Sequence, residues 1–196
     1  MSGSANHGHK GRGTKQPAIA VGQGCVLHPF SPADAAELMI AVQDPLIRRY
    51  TARLIDDRAQ ALDAIQGWQR RWAHGLGGVW ALRTDGPGGQ LLGSVLYAVL
   101  DEDLSNGSVG YWLTPQARGL GLASASVARS CPVIFERMGW FRIELSHAVE
   151  NERSCAVARR AGFAPEGVLR SVMVYPIDGR RSDEHLHARL RTDQAS

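Results

Sequence analysis

Gly110-Tyr-Trp-Leu-Thr-Pro-Gln-Ala-Arg-Gly-Leu-Gly-Leu-Ala123 is the stretch on which the fold turns. A strand-forming run ends at Thr114, and Pro115, which lacks an N–H, prevents its extension. Gly119 and Gly121 then open a segment of helical period. Glycine lets the main chain approach a ligand without a Cβ in the way. The first N–H groups of a helix have no partners within it, and together with the helix dipole they favour a phosphate. Arg118 adds a positive charge beside the turn. Two other readings account for less. Gly119-Leu-Gly-Leu-Ala-Ser124 resembles a dinucleotide fingerprint, with Glu144 about twenty residues on. Yet Ser124 replaces the third glycine, and the turn follows an antiparallel meander rather than the first strand of a βαβ unit. A plain tight turn leaves Pro115, Gln116 and Arg118 without a role.

The meander lies upstream. Gly78–Arg83, Gln90–Leu100 and Ser108–Thr114 are strand-like runs separated by the turn signals Asp85-Gly-Pro-Gly-Gly89 and Asp101–Gly107. Before them the period is helical. Ser31-Pro32-Ala33-Asp34 reads as a cap with proline at the first helical position, and Asp44-Pro45 as the end of that helix. Ala61, Ile65, Trp68 and Trp72 share one face of a second helix beginning after Asp56-Asp57. Cys25–His28 is a short strand, where order is expected to begin. Downstream, Ala123, Val127, Cys131 and Met138 line a long helix that Pro132 is expected to kink or interrupt. Phe141–Val149 is a strand. Asn151 stands at the head of a short helix that Gly162 stops. Val168–Tyr175 and His185–Leu190 close the chain as strands. The predicted order is β α α β β β α β α β β.

Length and composition bound the answer. The 196 residues are 44% hydrophobic and 21% charged, the balance of one soluble domain with a core. The longest apolar run, Leu91–Leu100, is far short of the ~20 residues of a bilayer span. The opening MSGSANHGHKGRG lacks the apolar centre of a secretory signal. Three of the 22 basic residues, Lys10, Arg12 and Lys15, lie in residues 1–24, which carry none of the 19 acids. The remainder is therefore neutral, and nothing in it reads as a nucleic-acid surface; the basic tail leaves room only for weak contact with RNA. Cys25, Cys131 and Cys155 form no CxxC pair, and no His cluster stands at ligand spacing. They read as reduced structural thiols of a cytoplasmic protein, with no metal site.

Gln116-Ala-Arg-Gly119-Leu-Gly121 resembles the acyl-CoA pyrophosphate loop of the GNAT superfamily of N-acetyltransferases. Gly110–Pro115, Arg142-Ile-Glu-Leu145, Asn151-Glu-Arg-Ser154, Ala161-Gly-Phe163 and Glu166–Arg170 resemble its RimJ/RimL branch, which acetylates protein N-termini. The resemblance implies an α/β (α+β) fold: a twisted, mixed, mostly antiparallel sheet with a splayed parallel strand pair and about four helices. It spans residues 25–191 as one domain behind a flexible, Gly-rich basic tail, 1–24. It also implies an acetyl-CoA (or other acyl-CoA) cofactor, held by the backbone of Trp112, Leu113 and Thr114, by Gln116, Arg118, Gly119, Leu120, Gly121, Leu122 and Ala123, and by Asn151. The partners implied are that acyl-CoA and an amine acceptor, in a monomer or homodimer without membrane attachment.

In this resemblance Ser154 supplies the proton for the leaving thiolate, because the Tyr that much of the superfamily carries seven residues after the helix-capping Asn is here Ala158. The implied reaction is direct transfer in a ternary complex to a peptide or protein α-amine. A small-molecule amine acceptor, or a non-catalytic acyl-CoA sensor, remains open. No general base declares itself: Val109 and Met173 stand where relatives carry acids, leaving Asp101, Glu102, Asp103, His147 and Glu166. A Lys of pKa ~10.4 is neutral in about one molecule in 2,500 at pH 7, an α-amine of ~7.7 in about one in six. A base-poor site therefore favours the α-amine. The acceptor groove is expected to be built by the two N-terminal helices, the segment Asp44–Asp57 between them, with Arg48, Arg49, Tyr50 and Arg53, and the turn after Val174.

Overall fold

The computed structural model describes residues 15–85 and 88–193. One sheet holds β1 (Ile19–Gly22), β2 (Cys25–Pro29), β3 (Gly77–Thr84), β4 (Leu91–Asp101), β5 (Asn106–Leu113), β6 (Arg142–Ala148), β7 (Ala164–Tyr175) and β8 (Arg180–Leu190), in the order β1-β2-β3-β4-β5-β6-β8-β7. The helices are α1 (Ala35–Ala41), α2 (Pro45–Tyr50), α3 (Arg58–Ala73), α4 (Leu122–Met138) and α5 (Glu152–Arg160).

β3 explains the layering. Its Gly-Gly-Val-Trp-Ala-Leu run is buried throughout, as a strand covered on both faces must be. Val79 and Ala81 join Leu38, Ala61 and Ile65 of α1 and α3; Trp80 and Leu82 join Val127, Cys131 and Ile134 of α4. Alternation along the strand thus sends successive side chains into two cores. The second contains a ladder of rings, Trp80 stacked on Tyr97 at 4.5 Å and Tyr97 edge-on to Trp140 at 6.2 Å.

All neighbouring strands pair antiparallel except β5 and β6. That parallel pair is short: Asn106, Gly107 and Ser108 oppose Arg142, Ile143 and Glu144. Beyond Ser108 the strands diverge, β5 staying with β4 as far as Leu113 and β6 with β8 as far as Ala148. The expected splay is therefore present.

Three expectations need correction. Order begins before Cys25. Ile19 and Val21 are buried, Trp80 Nε1 donates to the Pro17 carbonyl at 2.8 Å, and Gln16 Nε2 donates to the buried Tyr97 hydroxyl at 3.3 Å. Polar residues that satisfy buried aromatic groups do not look apolar in a sequence. The remainder of the expected tail, residues 1–14, lies outside the described residues, as do Gly86 and Pro87 of the first meander turn. Second, Asp44-Pro45 ends α1 but also starts α2: the Asp44 carboxylate accepts from the Leu46 and Ile47 amides at 3.0 Å. Third, Pro132 does not interrupt α4, which runs unbroken over its 17 residues. One missing rung is tolerated where Val127, Cys131, Ile134 and Met138 are all buried around it.

Candidate functional site

The glycine turn sits between β5 and α4. Gly119 and Gly121 adopt φ of +79° and +75°, and Gly121 is the N-cap of α4. No protein atom lies within 4 Å of where a Cβ would stand at either position. Glycine is needed there for left-handed backbone, and the space beyond it is open. Ala125 N–H closes the first intrahelical bond, to the Gly121 carbonyl at 3.1 Å; the amides of Leu122, Ala123 and Ser124 precede it and are therefore available to an anion. The Leu122 and Ala123 side chains are buried in the core, whereas Gln116, Gly119 and Leu120 are exposed around the turn.

Arg118 does not present a free charge. Its guanidinium donates to Asp44 Oδ1 at 2.5 Å and, through Nη2 and Nε, to the Leu113 carbonyl at 3.0 and 3.2 Å. Burial pushes the Asp44 carboxyl up, but the Arg118 hydrogen bond and charge, with the Ile47 and Leu46 amides, hold it below the usual carboxylate range. Arg118 is thus a tie between α2 and the end of β5.

The gap between β5 and β6 exposes strand edge. Thr114 N–H donates to the Leu92 carbonyl at 2.9 Å, toward β4. Backbone groups alternate sides along a strand, so Trp112 also faces β4, while Tyr111 and Leu113 face the gap. Of the three backbone positions expected to pair with a ligand, Leu113 alone points that way, and Tyr111 joins it.

Ser154 lies at the mouth of the gap, in the first turn of α5, and is buried. The Tyr111 hydroxyl donates to Ser154 Oγ at 2.9 Å. Burial pushes the Tyr111 phenol up, against the effect of this hydrogen bond, so it stays a neutral donor. With Oγ accepting from Tyr111, the Ser154 hydroxyl hydrogen is left to point elsewhere. Asn151 occupies the N-cap position, but its side chain makes no cap bond; its carbonyl accepts the Ser154 amide at 2.9 Å. Tyr111 was legible in the sequence only as part of a motif.

On the opposite sheet face stands a carboxylate that sequence reasoning missed. Glu184, on β8, is 2% exposed and accepts from the Tyr175 hydroxyl at 2.8 Å. It pairs in register with Ala148, the last residue of β6. Burial pushes the Glu184 carboxyl up, and the Tyr175 hydrogen bond partly offsets this. Tyr175 meets Tyr50 of α2 edge-on at 5.9 Å, and the Arg180 guanidinium lies 5.0 Å over the Tyr175 ring while pairing with Glu150 at 2.7 Å. Two of the parts expected to build the groove, the segment Asp44–Asp57 and the chain after Val174, therefore meet through Tyr50 and Tyr175. The one signal in the sequence was an acid at an inward position of an alternating strand.

The expected bases are placed elsewhere. Glu166 is bonded through both oxygens by Arg142, at 2.8 and 2.5 Å. Asp101, at the end of β4, and Glu102 and Asp103, in the turn after it, are exposed, and His147 is buried on the α5 face of β6. Two of the groove arginines are occupied: Arg48 pairs with Asp56 at 2.7 Å and Arg53 with Asp63 at 2.9 Å. Arg49 lies 5.5 Å over the Tyr50 ring. Among the described residues no helix is long and apolar enough to cross a membrane.

Comparison with known proteins gives a consistent picture. Residues 25–164 match the family model described as the acetyltransferase (GNAT) domain. The chain is 34% identical over 107 residues to the "Putative ribosomal N-acetyltransferase YdaF" of Bacillus subtilis; that match covers 54% of this chain and 56% of the relative. It is 25% identical over 150 residues to the "Uncharacterized N-acetyltransferase YoaA" of the same organism, covering 76% and 84%. Among solved structures, the ribosomal L7/L12 α-N-protein acetyltransferase RimL in complex with coenzyme A shares the fold with a TM-score of 0.80 at 18% identity, over 91% of this chain and 100% of that one.

Proposed function

The chain belongs to the acetyltransferase (GNAT) domain family, and from that premise we propose that it is an acyl-CoA-dependent N-acetyltransferase acting on the α-amine of a peptide or protein. The observation that carries this reading is the splay of β5 and β6, with a left-handed glycine turn at its α4 end and proton-handling groups on both sheet faces. The open cradle over Gly119 and Gly121 fits a pyrophosphate, and the free edge of β5 fits an extended amide-bearing arm. Bound there, an acyl-CoA supplies the acyl group as a thioester.

The roles of the residues follow from their positions. The amides of Leu122 and Ala123, reached across Gly119, Leu120 and Gly121 and flanked by Gln116, hold the pyrophosphate. Tyr111 and the Leu113 N–H offer backbone groups to the arm, the Leu113 carbonyl being held by Arg118, and an N–H of this edge polarises the thioester carbonyl. Trp112 and Thr114 fasten the strand to β4, Arg118 fastens the turn to Asp44, and Asn151 sets the head of α5. Ser154, oriented by Tyr111, donates its proton toward the departing sulfur. Glu184, on the opposite face, takes the proton of the attacking amine, directly or through one water. Acid and base on opposite faces suit direct transfer in a ternary complex.

A carboxylate raised by burial matches an α-amine of pKa ~7.7 better than a Lys of ~10.4. The α-N-protein acetyltransferase name of RimL points the same way. Matched peptides offering either one free α-amine or one Lys ε-amine test the proposal, with acetyl transfer followed by mass spectrometry. The α-amine peptide is expected to lead by at least about tenfold in kcat/KM at pH 7, well inside the few-hundredfold neutral-fraction advantage. Equal rates or a Lys preference would contradict the acceptor assignment; acyl-CoA binding without thiol release on any amine would identify a sensor.

A further inference from the structure

Along the chain the three histidines and the cysteine of one cluster are spread over forty residues. Folding gathers them. β6 and β8 pair with His147 opposite His185 and Leu145 opposite His187. His147, His185 and His187 share the α5 face of the sheet, since His185 and His187 are two apart on one strand. Cys155, in the first turns of α5, packs onto that face. We infer that His147, Cys155, His185 and His187 form a binding site for a thiophilic divalent cation of the zinc class, clamping α5 to the sheet.

The distances carry this assignment. His147 Nε2 lies 3.4 Å from His187 Nε2, and Cys155 Sγ lies 3.5 Å from the same nitrogen. Ligand atoms of His147, Cys155 and His185 all lie within 4.8 Å of one another. Metal bonds of about 2.0–2.1 Å to nitrogen and about 2.3 Å to sulfur place tetrahedral ligands about 3.4 Å (N to N) and about 3.6 Å (N to S) apart. The two shortest contacts are these edges.

The protons are arranged for ligation. His147 Nδ1 lies 2.9 Å from the Ala148 carbonyl, a contact that needs hydrogen on Nδ1 and leaves a lone pair on Nε2. Hydrogen bonding alone leaves the cluster frustrated. A proton on His187 Nε2 serves His147 but removes the acceptor for the Cys155 thiol; without it, two lone pairs face each other at 3.4 Å. His185 Nδ1 and His187 Nδ1 are buried with no partner among the described residues.

Access and charge are also defined. A cavity of about 210 Å³, lined by Cys155, Arg159, His185 and His187 among others, opens onto the cluster. Arg159 is the cation facing it, and its field opposes a second positive charge. The Cys155 thiolate offsets that field, which makes the cysteine the ligand the site can least lose.

Cobalt titration of the full chain, stripped with a chelator, tests the site. One equivalent of Co²⁺ is expected to bind with thiolate-to-cobalt charge transfer and the strong visible bands of tetrahedral coordination. Cys155→Ser, a conservative change at a partly exposed position, should abolish the charge-transfer band and weaken affinity by at least about a hundredfold, since even outer partners of ligands are worth 10–100-fold. His187→Ala should weaken affinity to a similar degree while any residual complex keeps the thiolate band, and His28→Ala with His74→Ala should change nothing. Absence of stoichiometric binding, a spectrum without thiolate character, or binding that survives Cys155→Ser but is lost with His7→Ala and His9→Ala would overturn the assignment.

Discussion

Arg118 and Asp44, 74 residues apart in the chain, are joined at 2.5 Å, and the same guanidinium also holds the Leu113 carbonyl. The pair links α2, which belongs to the acceptor half of the groove, to the turn that faces the cofactor half. It is largely shielded, with 13% of the Asp44 and 28% of the Arg118 side chain exposed.

Asp44→Asn should cost about 1.5–3 kcal/mol of stability at pH 7, the range for hydrogen bonds to charged groups. The pH dependence has a definite sign. The Asp44 carboxyl is held below its unfolded value, so its contribution is present above that value and is lost as pH falls through the folded one. Urea unfolding should therefore separate wild type from Asp44→Asn at pH 7 and bring them together in acid. A constant difference across that range would show that the carboxylate charge is not what the fold uses.

At Gly121 the backbone, rather than protein crowding, sets the requirement. A left-handed φ costs a residue with a Cβ roughly 1–2 kcal/mol, and Asn tolerates it better than most. Calorimetry with coenzyme A should show Gly121→Val weakened by more than about tenfold, since the branched side chain adds strain and enters the open cradle. Gly121→Asn should lose less. Unchanged affinity in the Val variant would remove this turn from the cofactor site.

Ser154 and Tyr111 should behave as one unit. Ser154→Ala is expected to lower kcat by about 10²–10⁴-fold with little change in cofactor Kd, the usual contribution of a positioned acid. Tyr111→Phe should lower kcat in the same direction. Residues that act together are non-additive, so the double variant should be no slower than Ser154→Ala alone. Multiplicative losses, or a change in kcat below about threefold for Ser154→Ala, would return both to structural roles.

For Glu184 the test is a pH profile. If it accepts the proton of the amine, kcat/KM climbs as pH rises through its elevated pKa, and Glu184→Gln removes that limb along with about 10²-fold or more of the rate. Tyr175→Phe deletes a hydrogen bond that favours the carboxylate, so the limb should move to higher pH. A limb that stays in place in both variants would belong to the acceptor amine and not to Glu184.

The sequence by itself determined the elements whose causes are local. Proline at 115, glycines at 119 and 121, and the helical period from Ala123 made the strand–turn–helix legible, because each residue acts on its own backbone. Asp57 was readable as a cap for the same reason, and its carboxylate accepts from the Gln60 amide at 2.8 Å. Ser154 and Tyr111 were each legible as part of a motif, but the hydrogen bond between them was not. What only the tertiary structure decided is what strand pairing brings together. Arg118 looked like a phosphate ligand until Asp44 appeared beside it. Glu184 was not among the candidate bases, and it is β8 that turns it inward against Tyr175. His147, Cys155, His185 and His187 had no spacing to betray them, because the register between β6 and β8 sets their distances. Local backbone chemistry is written along the chain, whereas the partners of a side chain are fixed by a register that no single strand encodes.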